Sequence, residues 1–140
     1  EPREAQEAPI DAAPAERAYA MAGVSAGDID VAEIYNSFAI QEPLGIEGLG
    51  FAPKGEGWKL TMSGATSLDE GGDIPWNCSG GVLCSNPIGA SGMIRFAEAA
   101  RQVRGDAGAH QVEGARLALG HAYGGGAQFF AMWVVGADKP

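Results

Sequence analysis

The sequence predicts an α/β domain, a mixed sheet with helices packed on both faces. Three observations carry this. Helical patterns alternate with apolar runs of strand length, in the order helix, strand, helix, strand, helix and a closing strand pair. The closing pair flanks a triple glycine at Gly124, Gly125 and Gly126. The chain of 140 residues, 46% apolar and 19% charged, is long enough to bury one core and no more.

Residues 1–12 mix Pro, Glu, Gln and Ala with little apolar content and read as a lead-in, leaving 13–140 as the domain. Residues 14–22 read as a helix. Pro14 is tolerated in its first turn, Ala15, Ala18, Tyr19 and Ala22 form one stripe, and Gly23 is the stop. A turn or short helical cap over 25–30 leads to a buried strand at 31–35. Residues 36–45 read as a helix interrupted near Pro43 and continued toward Gly48, with Asn36 a candidate N-cap.

From 50 to 73 the periodicity is lost in Gly, Pro, Lys, Glu and Ser. An excursion this long, beyond roughly 15 residues, tends to be functional or mobile. Trp58, Leu60 and Met62 within it either shape a pocket or cover a sheet edge.

The run from Asn77 to Gly92 is the centre of the chain. It reads as a strand end, a turn at Gly80 and Gly81, then a loop through Asn86, Pro87 and Gly89 into a helix starting near Ala90 or Ser91. Glycines let the backbone approach a ligand closely, and a helix start leaves N–H groups facing it, an arrangement suited to developing negative charge. The helix, 90–105, carries Met93, Phe96, Ala97, Ala100 and Val103 at helical spacing, so these predict its buried face. Cys84, between apolar residues and a turn, reads as a buried, inert thiol and not as a nucleophile. His110 falls in a polar, turn-rich stretch and receives no role.

Composition also excludes classes. A net charge of −9 argues against a nucleic-acid or anionic-membrane surface, either of which needs clustered Lys and Arg. Two cysteines and two distant histidines indicate neither a disulfide framework nor a metal site. No leader pattern and no apolar run near 20 residues is present, so a soluble, cytoplasmic protein is the expectation.

The central run resembles the Asn-x-x-Gly-Gly … Gly-His-Pro-x-Gly-x-Ser-Gly signature of the thiolase superfamily at Asn77, Gly80, Gly81, Pro87, Gly89, Ser91 and Gly92. It departs at Asn86, where the family has a histidine. The stretch through Tyr35, Asn36, Ser37 and Phe38 resembles the family's Asn-Glu-Ala-Phe or His-Asp-x-Phe motif, with Tyr35 at the Asn or His position. His121 aligns with the family's proton-abstracting cysteine, and His121 to Gly125 is similar to the His-Asn-Val-Gly-Gly of archaeal-type relatives. The resemblance covers about residues 12–136.

What this resemblance implies is the C-terminal half of a thiolase-like fold, with a mixed sheet of five strands. The implied reaction is Claisen condensation or thiolytic cleavage of acyl-CoA thioesters, with coenzyme A thioester as substrate and no bound cofactor. In that scheme His121 is the base, Asn86 and Tyr35 supply one oxyanion hole, and backbone N–H groups of Tyr123, Gly124 and Gly125 supply a second. Phe38, Pro87, Gly89 and Trp58 are the implied substrate-binding residues. An imidazole with its ordinary pKa of about 6.5 suits proton abstraction. The nucleophilic cysteine belongs to the N-terminal half, so the resemblance implies a fragment or split subunit, inactive alone, that needs a partner carrying that cysteine and forms a homodimer or larger assembly. Two rivals stay open. One is a retro-aldolase acting on a CoA-linked side chain, since thiolase-like aldolases share the Tyr-x-x-Phe motif and use tyrosines. The other is a non-catalytic assembly subunit binding acyl-CoA or an OB-fold zinc-ribbon protein.

Overall fold

The computed structural model describes residues 12–69, 71–126 and 128–138. Its elements are α1 (Ala12–Ala22), β1 (Val31–Glu33), α2 (Gln41–Gly48), α3 (Gly57–Met62), α4 (Gly81–Cys84), α5 (Ser91–Arg104), β2 (Leu117–Gly124) and β3 (Phe129–Gly136). The lead-in expected over 1–12 lies almost wholly outside the described residues.

The sheet runs β1-β2-β3, with β1 parallel to β2 and β2 antiparallel to β3. It is mixed, as expected, but among the described residues it has three strands and not five. The reason on the β1 side is local. Trp76 bridges Ala32 in parallel, through Ala32 N to Pro75 O at 3.0 Å and Asn77 N to Ala32 O at 2.7 Å. Pro75 has no N–H to extend this pairing, and Asn77 turns away with φ of 51°. On the far side, β3 has no neighbouring strand among the described residues.

Helices cover both faces. Val31 and Ala118 pack on Ala99 of α5, while Ala32, Ile34 and Leu119 pack on Ala15 and Tyr19 of α1 and on Ile46 of α2. Asp30 pins the start of the parallel pair, its Oδ2 accepting from the amides of Arg116 and Leu117 at 2.8 Å each.

Four helices differ from the sequence reading: α3 and α4 stand where an aperiodic excursion and a turn are expected, and α2 and α5 depart in detail. Residues 36–40 are not helical, and α2 begins at Gln41 with Pro43 inside its first turn. A missing N–H is harmless there, so the proline starts the helix instead of breaking it. Helix α5 has the expected span, closed by Gly105 at φ of 73°, but buries Ser91, Arg95, Ala99 and Gln102, leaving Met93 62% exposed and Ala97 exposed. Those four also stand at helical spacing, and their polar groups are bonded except Arg95 Nε. Gln102 donates to His110 O at 2.7 Å and accepts from Val112 N at 2.8 Å, and Arg95 meets Glu33.

The excursion from 50 to 73 contains α3, which lies tightly on α2. A Cβ at Gly57 would stand 2.2 Å from Pro43 O, so only glycine fits. Among the described residues no helix is long and apolar enough to cross a membrane, and no cluster of His, Cys, Asp or Glu could hold a metal ion.

Candidate active site

Parallel pairing of β1 with β2 brings their carboxyl ends to one edge, where α/β sheets leave a crevice. An open cleft of about 720 Å³ lies there, lined by Tyr35, Phe38 and Gln41 after β1, Gly89 and Gly92 at the start of α5, and Tyr123 at the end of β2. Gly124, Gly125 and Gly126 form its exposed rim.

Tyr35 is anchored by its amide, which donates to His121 O at 3.1 Å. Its ring meets that of Tyr123 edge to face, with centroids 4.8 Å apart and planes at 71°. Its hydroxyl stands 3.5 Å from Asn86 Oδ1, the limit of a hydrogen bond.

Asn86 is held from within its own loop. Its Oδ1 accepts from Ser91 Oγ at 2.7 Å and from Ile88 N at 3.1 Å. Ile88 has φ of 51°, a strained conformation for a β-branched residue that the bond from its amide helps to hold. With the oxygen occupied, the NH₂ end of Asn86 makes no hydrogen bond among the described residues.

Tyr123 is held by Gln41, whose Nε2 donates to the phenol oxygen. The amide is oriented by Phe38 N at 3.0 Å and Ser37 Oγ at 3.3 Å, both bonded to its Oε1. Because Gln41 donates to the oxygen and Ser37 Oγ donates to Gln41, the Tyr123 hydroxyl is left to donate to Ser37 Oγ, 3.3 Å away.

His121 adjoins this group but does not line the cleft. Alternation along β2 turns Ala118 and Ala122 toward α5, and Leu119, His121 and Tyr123 to the opposite face, with the His121 ring centroid 6.1 Å from that of Tyr123. The His121 side chain is 1% exposed, neither ring nitrogen has a hydrogen-bond partner among the described residues, and the ring stacks on Phe130 with centroids 6.1 Å apart. Burial lowers its pKa from 6.5 to about 4, so it is neutral at pH 7.

The structure thus brings together Tyr35, Asn86, Phe38, Gly89, Tyr123, Gly124 and Gly125. It leaves His121 buried beside Tyr123 and outside the cleft lining, Pro87 exposed on the loop and also outside it, and Trp58 away on α3, where its indole bonds Gly55 O at 3.1 Å. Cys84, expected to be buried, is exposed because the short α4 ends there, and Cys78 is the half-buried thiol, pushed up to about 11 chiefly by burial. The sequence reading missed the Tyr123 side chain, Gln41 and Ser91. An aromatic beside a triple glycine, and a Gln four residues after Ser37 at a helix start, were the available signals.

The three-layer packing and this loop-built cleft define a thiolase-like α/β domain. A family profile described as "Thiolase C-terminal domain-like" matches residues 6–137, and the chain belongs to that family. It is 45% identical over 112 residues to an acetyl-CoA acetyltransferase of Methanothermobacter thermautotrophicus, covering 79% of this chain and 29% of that protein. It is 39% identical over 124 residues to human sterol carrier protein 2, covering 87% of this chain and 22% of that protein. A solved structure described as "Ltp2-ChsH2(DUF35) aldolase" superposes with a TM-score of 0.79 at 28% identity, covering 92% of this chain and 32% of that one. The chain therefore spans less than a third of each of these relatives.

Proposed function

We propose that the chain is the C-terminal half of an enzyme that cleaves a carbon–carbon bond next to a CoA thioester by a retro-aldol reaction, with Tyr35 and Tyr123 moving the proton. The observation that carries this reading is that two phenols share one cleft while the only nearby imidazole, His121, is buried outside it.

The chemistry suits such a pair. When a β-hydroxyacyl thioester splits, the hydroxyl loses a proton as its oxygen becomes a carbonyl. The electrons of the broken bond pass to the α-carbon, which forms a thioester enolate and then gains a proton. The proton lost equals the proton gained, so a phenol that accepts one and passes its own onward completes the reaction with no acyl-enzyme. The unpartnered NH₂ of Asn86 serves the enolate oxygen, and backbone N–H groups of Gly124 and Gly125 add a second donor set. Phe38 and Gly89 border the acyl group.

In support, the aldolase relative shares the fold over most of this chain. The partner implied by that relative's description is a DUF35 protein, with the N-terminal half of the fold supplied by the remainder of the polypeptide or by another subunit. A second reading, acyl transfer through a cysteine in the other half, is favoured by the acetyl-CoA acetyltransferase relative. It requires His121 to reach substrate as the base. The complete enzyme incubated with a β-hydroxyacyl-CoA separates the two. Release of a carbonyl product and a shortened acyl-CoA without added free CoA supports the retro-aldol reading; dependence on free CoA with a covalent acyl adduct in the intact mass overturns it.

A further inference from the structure

Glu33 is fully buried at the end of β1, two residues before Tyr35, and its carboxylate is the meeting point of three elements. Arg95 Nη1 of α5 reaches Glu33 Oε2 at 2.7 Å. Ser79, in the turn that leads to the Asn86 loop, donates its hydroxyl to the same oxygen at 2.6 Å and its amide to Oε1 at 3.0 Å. Arg95 also bonds Ser79 Oγ at 2.8 Å, closing the triangle. One helical turn before Arg95, Ser91 holds Asn86.

Stability alone is a poor account of this cluster. Buried ion pairs are often no better than an apolar replacement, and Arg95 Nε is itself buried without a partner. Geometry is the better account. Tyr35 follows Glu33 by two residues, just past the end of β1, and Asn86 is tied to Arg95 through Ser91 of the same helix, so the ion pair spans the two arms of the cleft.

We propose that Glu33 and Arg95 are positioning residues: their buried pair locks β1 to α5 and to the Ser79 turn, and so sets the separation of Tyr35 and Asn86. This rests on the reading of those two side chains given above.

The test is a double replacement in the complete enzyme, Glu33→Gln with Arg95→Met. The introduced carboxamide can still accept from the Ser79 amide and donate to its hydroxyl, so the turn keeps its bonds to β1 while both of the Arg95 bonds, to Glu33 and to Ser79, are lost. The expected result is a kcat about 100-fold lower, the scale of a 1 Å misplacement. KM should change less than about threefold, and Tyr35→Phe should cost far less in this background than in the wild type. A folded double variant with wild-type kcat, or a Tyr35→Phe penalty that simply adds, overturns the proposal. Should the double variant not fold, Arg95→Lys is read instead: a loss confined to kcat supports the proposal and unchanged kcat overturns it. Failure of the tyrosine reading is visible separately, as Tyr35→Phe with full turnover in the wild type, and the ion pair is then judged on Asn86→Ala in the same cycle.

Discussion

The rings of Tyr35 and Tyr123 touch edge to face at 4.8 Å across the cleft, one from the segment after β1 and the other from the end of β2. Only the parallel pairing of those strands makes them neighbours, since 88 positions, 123 minus 35, separate them in the chain.

If these phenols carry the proton, removing either hydroxyl stops the transfer without disturbing the ring contact. Tyr35→Phe and Tyr123→Phe in the complete enzyme should each lower kcat by about 10²–10⁴-fold, the usual worth of a positioned acid or base. The double variant should fall little further, because both groups serve one proton. Steady-state rates with matched melting curves check this, and two losses that multiply would contradict it.

Much of the fold was legible in the sequence because its signals are local. The span of α5, the β2–β3 hairpin around Gly124 to Gly126 and the short buried β1 follow from periodicity and glycine placement. What was not legible depends on distant partners. The stripe Ser91, Arg95, Ala99 and Gln102 is buried because Glu33, His110 and Val112 satisfy its polar groups from elsewhere, and composition alone favours the Met93 side. At the site, the cleft positions of Tyr35 and Gly89 were readable from motif spacing. The burial of His121 was not, because it depends on the rings of Tyr123 and Phe130 that pack against it.

His121 makes stability depend on pH. The unfolded chain binds a proton at this residue near pH 6.5, whereas the folded chain does not until about pH 4. Its contribution is complete above pH 6.5 and is lost as the pH falls from 6.5 toward 4, a change on the order of 3 kcal/mol. The rings packed beside it are those of Tyr123 and Phe130. His121→Met should flatten that limb of the stability profile and, by removing two unpartnered nitrogens, leave the protein at least as stable at pH 7. Denaturant titrations of both proteins across this range decide it; parallel profiles would refute the assignment.

Asn77 closes the bridge beside β1 by two means, a left-handed backbone with φ of 51° and an Oδ1 that accepts from Ile34 N at 2.7 Å. Asn77→Gly keeps the conformation and loses the bond, leaving a buried amide unpaired at about 1–3 kcal/mol. Asn77→Ala loses both, and should be about 1 kcal/mol worse than the glycine variant. Equal stability of the two in chemical denaturation would show that backbone strain is unimportant there.

Gly92 sets how closely α5 lies on β2 at the floor of the cleft. A Cβ at this position would come within 2.8 Å of Ala122 Cβ, an atom fixed to the central strand and unable to swing aside. Helix propensity favours alanine over glycine by about 1 kcal/mol, while overpacking against a rigid neighbour costs about 1–3 kcal/mol. The two effects oppose, and the short distance decides for destabilisation, with the start of α5 displaced from the cleft. Gly92→Ala should therefore lower both the melting temperature and kcat. Ala122→Gly removes the obstructing methyl, so in its presence Gly92→Ala should cost less than it does alone. A double-mutant cycle measures that coupling, and a value of zero would mean that the two positions do not limit the approach of helix to strand.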